Sequence, residues 1–268
     1  MTTVYNDLFT IPAATLGHSI QKAGTSARRI LLYVPGRLSA RALCILRAAG
    51  WELQEVELIL PPHDGAGIGG RFVDQYTKLR LWSLVDVQRV VYLDADTLVR
   101  RNFDELFELP FPFAAVPDVY GSSGFKLQFN AGVLALHPSN DTFESLYARI
   151  ADARYNPHEA EQSFLNVYFG ADAVRLPYVY NANLAIRERS PALWRAMRDE
   201  LRVVHYTVPK PFPKVGTGIA DGARLERAIY EARRDRGGVH AEAIDWWANT
   251  YYDFRAQNRV ALEQCDAS

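Results

Sequence analysis

The segment RVVYLDADTLV, from Arg89 to Val99, restricts more than any other what this chain can fold into. Its continuous apolar run is typical of a central strand buried on both faces of a parallel sheet. Two aspartates, Asp94 and Asp96, follow this run one residue apart. On an extended backbone, residues i and i+2 point the same way, so the two carboxylates would repel each other. A divalent cation held by oxygen ligands removes that repulsion, which makes the pair a candidate metal site.

An Asp-x-Asp pair is also typical of turns and helix caps, and here it precedes the segment TLVRRNFDELF. The position of Asp94 and Asp96 directly after a buried strand favours the metal site. In parallel α/β sheets, ligands bind beyond the carboxyl ends of the strands.

Strand-like and helix-like segments alternate along the first half of the chain. Residues 28–34 and 52–60 are rich in β-forming or alternating residues, whereas 39–50 and 73–85 have helical periodicity. Ser39 is a good helix N-cap. This βαβαβ order predicts a parallel sheet with helices on both faces.

The second half of the chain is more mixed. The predicted strands are 113–119, 129–136 and 201–208, and the predicted helices are 141–153, 159–169 and much of the last forty residues. The aromatic cluster DWWANTYYDF, residues 245–254, has helical spacing and is expected to pack on the domain. The alternative is that this cluster forms an interaction surface. No domain boundary is visible, so residues 1–268 are expected to form a single domain.

Charge and cysteine usage exclude some classes of function. Lys and Arg number 30 against 31 Asp and Glu, so the basic face that a nucleic acid or an acidic membrane requires is not expected. Cys44 and Cys265 lie far apart and do not resemble a disulfide framework, which predicts a reducing compartment. We find neither a signal peptide nor a transmembrane run, so a soluble, cytoplasmic protein is expected.

Six motifs occur in an order that is specific in combination: YTKLRLWSL, VVYLDADTLVRRNFDELF, FNAGVLAL, EQSFLN, YVYNANL and VVHYTVPKPF. Over roughly residues 1–212 the chain resembles glycosyltransferase family eight, the family of glycogenin and related fungal and plant proteins. The resemblance implies an α/β, Rossmann-like nucleotide-sugar transferase fold of the GT-A type. Its central sheet would be mixed but mostly parallel, with helices on both faces. Residues 1–212 would form the nucleotide-sugar and metal core, and 213–268 a helical C-terminal appendage.

The resemblance also assigns roles to individual residues. Asp94, Asp96 and His205 would bind a divalent metal, Mn²⁺ or Mg²⁺, and Lys210 would contact the diphosphate of a UDP-sugar. The remaining expected positions are Lys78 and Ala95 at the donor, Asn6 and Asp7 at the uracil and ribose, Asp118 and Asn130 at the sugar hydroxyls, Glu161 and Gln162 near the anomeric carbon, and Asn181 at the sugar or acceptor.

Three departures from the family pattern stand out. The first strand is short, with only MTTV before Tyr5. Glu161 replaces the more usual aspartate, and Val208 replaces a glycine that would let the backbone approach phosphate. A long extension with an acceptor tyrosine is not evident, so a self-glucosylating role is not expected.

The sequence therefore predicts a metal-dependent, retaining hexosyltransferase with a UDP-sugar donor, glucose being favoured. The acceptor is a polyol, glycan, lipid or protein, and a homodimer is one option. The alternatives are a catalytically impaired nucleotide-sugar binder, a scaffold that uses the aromatic cluster, and a phosphatase or nucleotidyltransferase with an Asp-x-Asp site. The segment GAGIGGRF, residues 65–72, matches a phosphate-binding loop only weakly.

Overall fold

The structure is a computed structural model that describes residues 1–65 and 68–266. Residues 66 and 67 of the GAGIGGRF segment lie outside the described residues. The strands within the described ranges are β1 (Thr2–Val4), β2 (Ile30–Tyr33), β3 (Glu52–Glu55), β4 (Val90–Leu93), β5 (Thr97–Val99), β6 (Phe113–Tyr120), β7 (Gly124–Leu136), β8 (Val174–Arg175), β9 (Ala182–Asn183) and β10 (Val203–His205). The α-helices there are α1 (Thr10–Lys22), α2 (Ala40–Ala48), α3 (Asn140–Arg149), α4 (Ala160–Phe169), α5 (Ala185–Arg189), α6 (Pro191–Met197), α7 (Gly222–Arg234), α8 (Ala241–Gln257) and α9 (Arg259–Asp266).

The main sheet combines parallel and antiparallel strands. Strands β1, β2 and β3 pair in parallel, and β4, β7, β6 and β8 follow in that order, with β7 antiparallel to both its neighbours. Met1 joins the two halves, because its carbonyl accepts from Leu93 N at 2.9 Å and its amino group donates to Val91 O at 2.6 Å. The antiparallel β7 makes the sheet mixed, which confirms the α/β fold class.

Two hydrophobic cores lie on opposite faces of this sheet. Alternate residues of one strand enter different cores: Leu31 packs with α1, α2 and α8, whereas Ile30 and Leu32 pack with α3 and α4. This alternation follows from the twofold side-chain periodicity of a strand. Helices therefore cover both faces, as predicted.

A second, small sheet carries the late histidine. Strand β10 pairs antiparallel with β5, placing His205 opposite Thr97, and parallel with β9, placing His205 opposite Asn183. Thr97 directly follows Asp96. This pairing therefore brings a residue from the end of the family-like region back to the Asp-x-Asp turn.

The helix predicted over 73–85 is instead a run of 3₁₀ turns over Gly70–Ser83. The run begins after Gly69 without a capping side chain, and Thr77 Oγ1 accepts from Ile59 N at 3.1 Å, outside the run. The helix 39–50 is confirmed as α2, and Ser39 accepts from Ala42 N as its N-cap.

None of the helices within 1–65 and 68–266 is both long enough and apolar enough to cross a membrane.

The expectation that Cys44 and Cys265 do not belong to a disulfide framework is wrong. Cys44 on α2 and Cys265 on α9 form a disulfide, with Cα atoms 5.5 Å apart and a sequence separation of 221. Their spacing gave no signal because only the packing of α9 on α2 brings them together. The argument for a reducing compartment loses its support, since disulfides persist mainly under oxidising conditions.

The aromatic cluster of α8 packs on the domain, as predicted. Trp247, Tyr251 and Phe254 are buried in the core shared with α1, and Trp247 lies 5.6 Å from the ring of Phe212. The tail of the chain is thereby part of the core on that face of the sheet.

Candidate active site

Asp94 and Asp96 lie in the turn between β4 and β5, and His205 is the last residue of β10. One ligand atom from each residue lies within 4.8 Å of the other two. The backbone fixes this turn, because Asp94 N donates to Gly132 O at 2.8 Å and Tyr206 N donates to Asp96 O at 3.0 Å. The structure thus brings together the three residues that the resemblance assigns to a metal.

The donor set fits a divalent cation. Two carboxylates and one imidazole supply oxygen and nitrogen ligands, which is compatible with Mn²⁺ or Mg²⁺. In the part of the chain that the structure describes, this is the one group of three His, Cys, Asp or Glu side chains close enough to hold a metal ion. The arrangement is a metal-binding group, and its residues fit the ion that the resemblance implies.

Lys210 and His205 both contact Asp96. The Lys210 ammonium pairs with Asp96 Oδ2 and donates to Tyr206 O at 2.9 Å, while His205 Nε2 lies 3.1 Å from Asp96 Oδ1. Burial favours the neutral carboxyl, but Lys210 and His205 outweigh it and hold the pKa of Asp96 well below its usual range. Asp96 is therefore an ionised ligand at neutral pH.

Lys78 is buried beneath the carboxylates, with only 1% of the residue exposed. Its Nζ lies 2.7 Å from Glu161 Oε1 and 3.1 Å from Asp94 Oδ1, and it donates to Ala131 O at 3.2 Å. Burial disfavours the charged amine, but Asp94 and Glu161 raise the pKa of Lys78 above its ordinary value. Lys78 therefore connects the Asp-x-Asp turn to α4 as a buried cation.

Tyr92 also holds Asp94, and Thr3 in turn holds Tyr92; the sequence reasoning missed both residues. The Tyr92 hydroxyl donates to Asp94 Oδ1 at 2.7 Å and lies 2.8 Å from Thr3 Oγ1. The available signal was position, because Tyr92 precedes Asp94 by two residues and so shares its face of the strand.

Glu161 is the second residue of α4, directly after Ala160. Burial raises the pKa of the Glu161 carboxyl, and the ion pair with Lys78 opposes that shift. Ala160 has φ 45° and ψ −133°, a backbone conformation that is costly for a residue with a side chain. Strained backbone of this kind is common at functional sites.

Asp118, Asn130, Asn181 and Gln162 form one buried hydrogen-bond network. The Gln162 amide donates to Asp118 Oδ2 at 2.9 Å, and Asn130 Nδ2 donates to Asp118 Oδ1 at 3.2 Å. Asn181 Nδ2 donates to Asn130 Oδ1 at 2.9 Å, and Asn181 Oδ1 lies 3.0 Å from His205 Nδ1. The structure thus links the residues expected at the sugar to a metal-binding residue.

Gly132 is a site residue that the sequence reasoning passed over. A Cβ at this position would stand 2.3 Å from His205 Cε1 and 2.8 Å from Asn130 Oδ1. An isolated glycine inside the strand-like motif FNAGVLAL was the available signal, because such glycines mark a close approach.

Asn6 and Asp7 follow β1, at the same edge of the sheet as Asp94 after β4. Asn6 Oδ1 accepts from Leu8 N at 3.1 Å, and Asp7 Oδ1 accepts from Ser39 N at 2.9 Å. Asn6 thereby caps the 3₁₀ turn that follows it, whereas Asp7 binds the backbone at the start of α2. Among the described residues, no hydrogen bond joins either side chain to the network of His205. Ala95, between the two aspartates, is buried.

A cavity of about 200 Å³ lies at the opposite end of β5 and β10 from the Asp94–Asp96–His205 group. Its wall includes Arg100, which stacks on Trp246 at 4.2 Å, and Arg198, which pairs with Glu242. Arg101 pairs with Glu200 in the same way. The length of β5 and β10 separates this cavity from the candidate site.

The model of the family described as Glycosyl transferase family 8 matches residues 71–212, which is more than half of the chain. The chain belongs to glycosyl transferase family 8. The matched region contains the Asp94–Asp96–His205 group, Lys78 and the whole amide network.

Relatives within this family are similar over most of the chain. Galactinol synthase 1 of Ajuga reptans is 28% identical over 253 residues, which cover 82% of this chain and 72% of the relative. Glycogenin of Neurospora crassa is 27% identical over 204 residues, covering 75% of this chain but only 29% of the relative. The galactosyltransferase LgtC in complex with donor and acceptor sugar analogues has a TM-score of 0.57 at 19% identity, with 93% of this chain and 95% of that one covered. The last likeness shows the GT-A fold.

Proposed function

We propose that this family 8 protein transfers a hexosyl group from a UDP-sugar to an acceptor hydroxyl, with a divalent metal and with retention of configuration. The observation that carries the proposal is the meeting of Asp94, Asp96 and His205 within 4.8 Å at the carboxyl edge of the sheet. Nucleotide ligands of α/β folds bind at that edge.

The three ligands favour Mn²⁺ over Mg²⁺ in this proposal, since Mg²⁺ is usually bound through oxygens alone. A bound divalent ion would supply positive charge to the two phosphates of the donor. Asp96 contributes a carboxylate that is already ionised, because Lys210 and His205 hold its pKa low.

Lys210 would assist departure of UDP. Its ammonium lies against Asp96 and is still partly exposed, with 15% of the side chain accessible. A positive charge fixed beside the leaving diphosphate stabilises the negative charge that develops there.

Glu161 and Gln162 would act on the sugar. The oxocarbenium-like state of glycosyl transfer carries positive charge near the anomeric carbon, which a nearby carboxylate stabilises. The Lys78 ammonium, 2.7 Å from Glu161 Oε1, lowers the nucleophilicity of that carboxylate. This favours acceptor attack from the face of departure over a covalent intermediate on Glu161.

The transferred sugar is proposed to be glucose, on the glycogenin-like motifs, with galactose the second donor to test because several relatives bear the name galactinol synthase. A small polyol is the first acceptor to test, and a glycan, lipid or protein follows.

The deciding experiment measures UDP release from a panel of UDP-sugars with Mn²⁺, for the wild type and for Asp94→Asn and Asp96→Asn. We expect turnover with one UDP-hexose and a loss of about a hundredfold or more in each variant. Undiminished turnover in both variants would contradict the proposal. Calorimetric binding of UDP and Mn²⁺ without turnover would identify a nucleotide-sugar binder instead.

A further inference from the structure

The hydrogen-bond directions in the buried amide network can be read from one unambiguous donor. The backbone N–H of Gly132 lies 2.9 Å from a side-chain atom of Asn130. A backbone N–H only donates, so this atom is the amide oxygen. The amide nitrogen of Asn130 then faces Asp118 Oδ1 at 3.2 Å, and this oxygen is an acceptor, since it also accepts from Val119 N at 2.7 Å. Both ends of Asn130 therefore impose the same orientation.

This orientation determines that of Asn181. The Asn181 atom 2.9 Å from Asn130 Oδ1 must be a donor, so it is Nδ2. Asn181 Oδ1 then faces His205 Nδ1 at 3.0 Å. Since an amide oxygen only accepts, Nδ1 of His205 must carry a hydrogen.

The network has little access to water. Asn181 is 1% exposed, His205 4% and Asn130 8%. Rotating the Asn181 amide would set donor against donor at His205 and acceptor against acceptor at Asn130, and solvent could not satisfy those groups.

We propose that Asn181 is a positioning residue, which holds His205 as the Nδ1–H tautomer so that Nε2 is the nitrogen that binds metal. Nε2 is the ring atom that faces Asp96 Oδ1, at 3.1 Å, a contact that Nε2 makes as a donor while it carries a proton. A bound divalent cation would replace that proton and leave the Nδ1–H group in place on Asn181. Partners of this kind fix the tautomer and orientation of metal-binding histidines. The inference rests on the proposed function only in that a divalent metal binds this group, and it gives Asn181 a task other than contacting sugar.

The test compares Asn181→Leu, which has a similar shape but no acceptor, with Asn183→Leu. Asn183 is also buried and also reaches the network, donating to Val119 O at 2.9 Å and lying 3.4 Å from Asp118 Oδ1, without a hydrogen bond to His205. We expect Asn181→Leu to weaken Mn²⁺ binding about 10- to 100-fold by calorimetry. Asn183→Leu should bind Mn²⁺ within about threefold of the wild type, because it leaves the contact between Asn181 and His205 in place.

A second measurement does not depend on the variants folding. The ¹⁵N shifts of the His205 ring in the Mg²⁺-saturated wild type should show a protonated Nδ1 and an unprotonated Nε2. A protonated Nε2, or wild-type affinity in a folded Asn181→Leu, would overturn the inference while leaving the proposed function intact. Failure of the wild type to bind either metal would reject both.

Discussion

The backbone of Gly132 lies so close to the imidazole of His205 that only glycine, which has no side chain, fits at position 132. A Cβ on Gly132 would approach His205 Cε1 to 2.3 Å and His205 Nδ1 to 2.7 Å. Strand β7, which carries Gly132, pairs with β4, and Gly132 O accepts from Asp94 N. One glycine thus contacts both parts of the metal-binding group.

Gly132→Ala is expected to displace His205 and to lower Mn²⁺ affinity at least tenfold, because the metal-binding group loses its geometry. Overpacking at a buried site should also cost about 1–3 kcal/mol of the free energy of unfolding. Calorimetry and urea denaturation measure the two effects. Gly121→Ala is the matched control, since a Cβ there has its nearest neighbour at 3.8 Å. Equal metal affinity in the two variants would contradict this reading of the contact.

Lys78→Met is expected to destabilise the fold by about 3–5 kcal/mol, because it leaves Glu161 and Asp94 without their buried cation. Adding Glu161→Gln should recover part of that loss, since one buried charge is then removed. Urea denaturation of the two single variants and the double variant gives the coupling energy. If the changes in the free energy of unfolding of the two single variants add up to that of the double variant, the inferred stabilisation of Glu161 by Lys78 is wrong.

Lys210→Ala is expected to reduce kcat by about 10²–10³-fold, because the charge beside the leaving diphosphate is lost. Lys210→Arg should retain more activity, since it keeps the charge. Lys214→Ala is the control, because this exposed lysine lies in the same loop region outside the candidate site. Steady-state UDP release measures all three variants, and equal rates for Lys210→Ala and Lys214→Ala would remove Lys210 from the mechanism.

Because His240 is buried, we expect the free energy of unfolding to decline under mildly acidic conditions. His240 is fully buried, its Nε2 lies 2.7 Å from Glu188 Oε1, and its Nδ1 has no hydrogen-bond partner among the residues that the structure describes. Burial lowers the pKa of His240 below the ordinary 6.5, and Glu188 only partly opposes this. The unfolded chain therefore binds the proton first, so the contribution of His240 is complete above about pH 6.5 and declines as the pH falls.

Urea denaturation at steps between about pH 5 and pH 8 would reveal this slope. His240→Gln, which does not titrate, should show a flatter profile than the wild type over the same range. Parallel profiles for the two proteins would show that His240 does not contribute to the pH dependence.

Reduction of the Cys44–Cys265 disulfide is expected to lower the free energy of unfolding by about 2–5 kcal/mol, because the bond closes a long loop in the unfolded chain. Thermal unfolding with and without dithiothreitol measures the effect. The Cys44→Ser/Cys265→Ser variant should unfold at the same temperature in both conditions. A wild type that is insensitive to the reductant would contradict a structural disulfide.

Local patterns in the sequence were sufficient for most elements. Continuous apolar runs identified β2, β4 and the second half of β7, and the Ser39 cap identified the start of α2. The run after Gly69 forms 3₁₀ turns instead of the predicted α-helix. Helical periodicity reports which side chains are buried, and it distinguishes poorly between these two helix types.

By itself the sequence determined the fold class, the family and the turn that carries Asp94 and Asp96, because those depend on apolar patterns and motifs that can be read along the chain. The tertiary structure decided the rest: the burial of Lys78 between two carboxylates, the contact of Gly132 with His205, and the Cys44–Cys265 bond. Each of these joins residues that are far apart along the chain. Hydrogen bonds, ion pairs and close contacts act over a few ångströms, so they exist only where the fold has already brought the partners together.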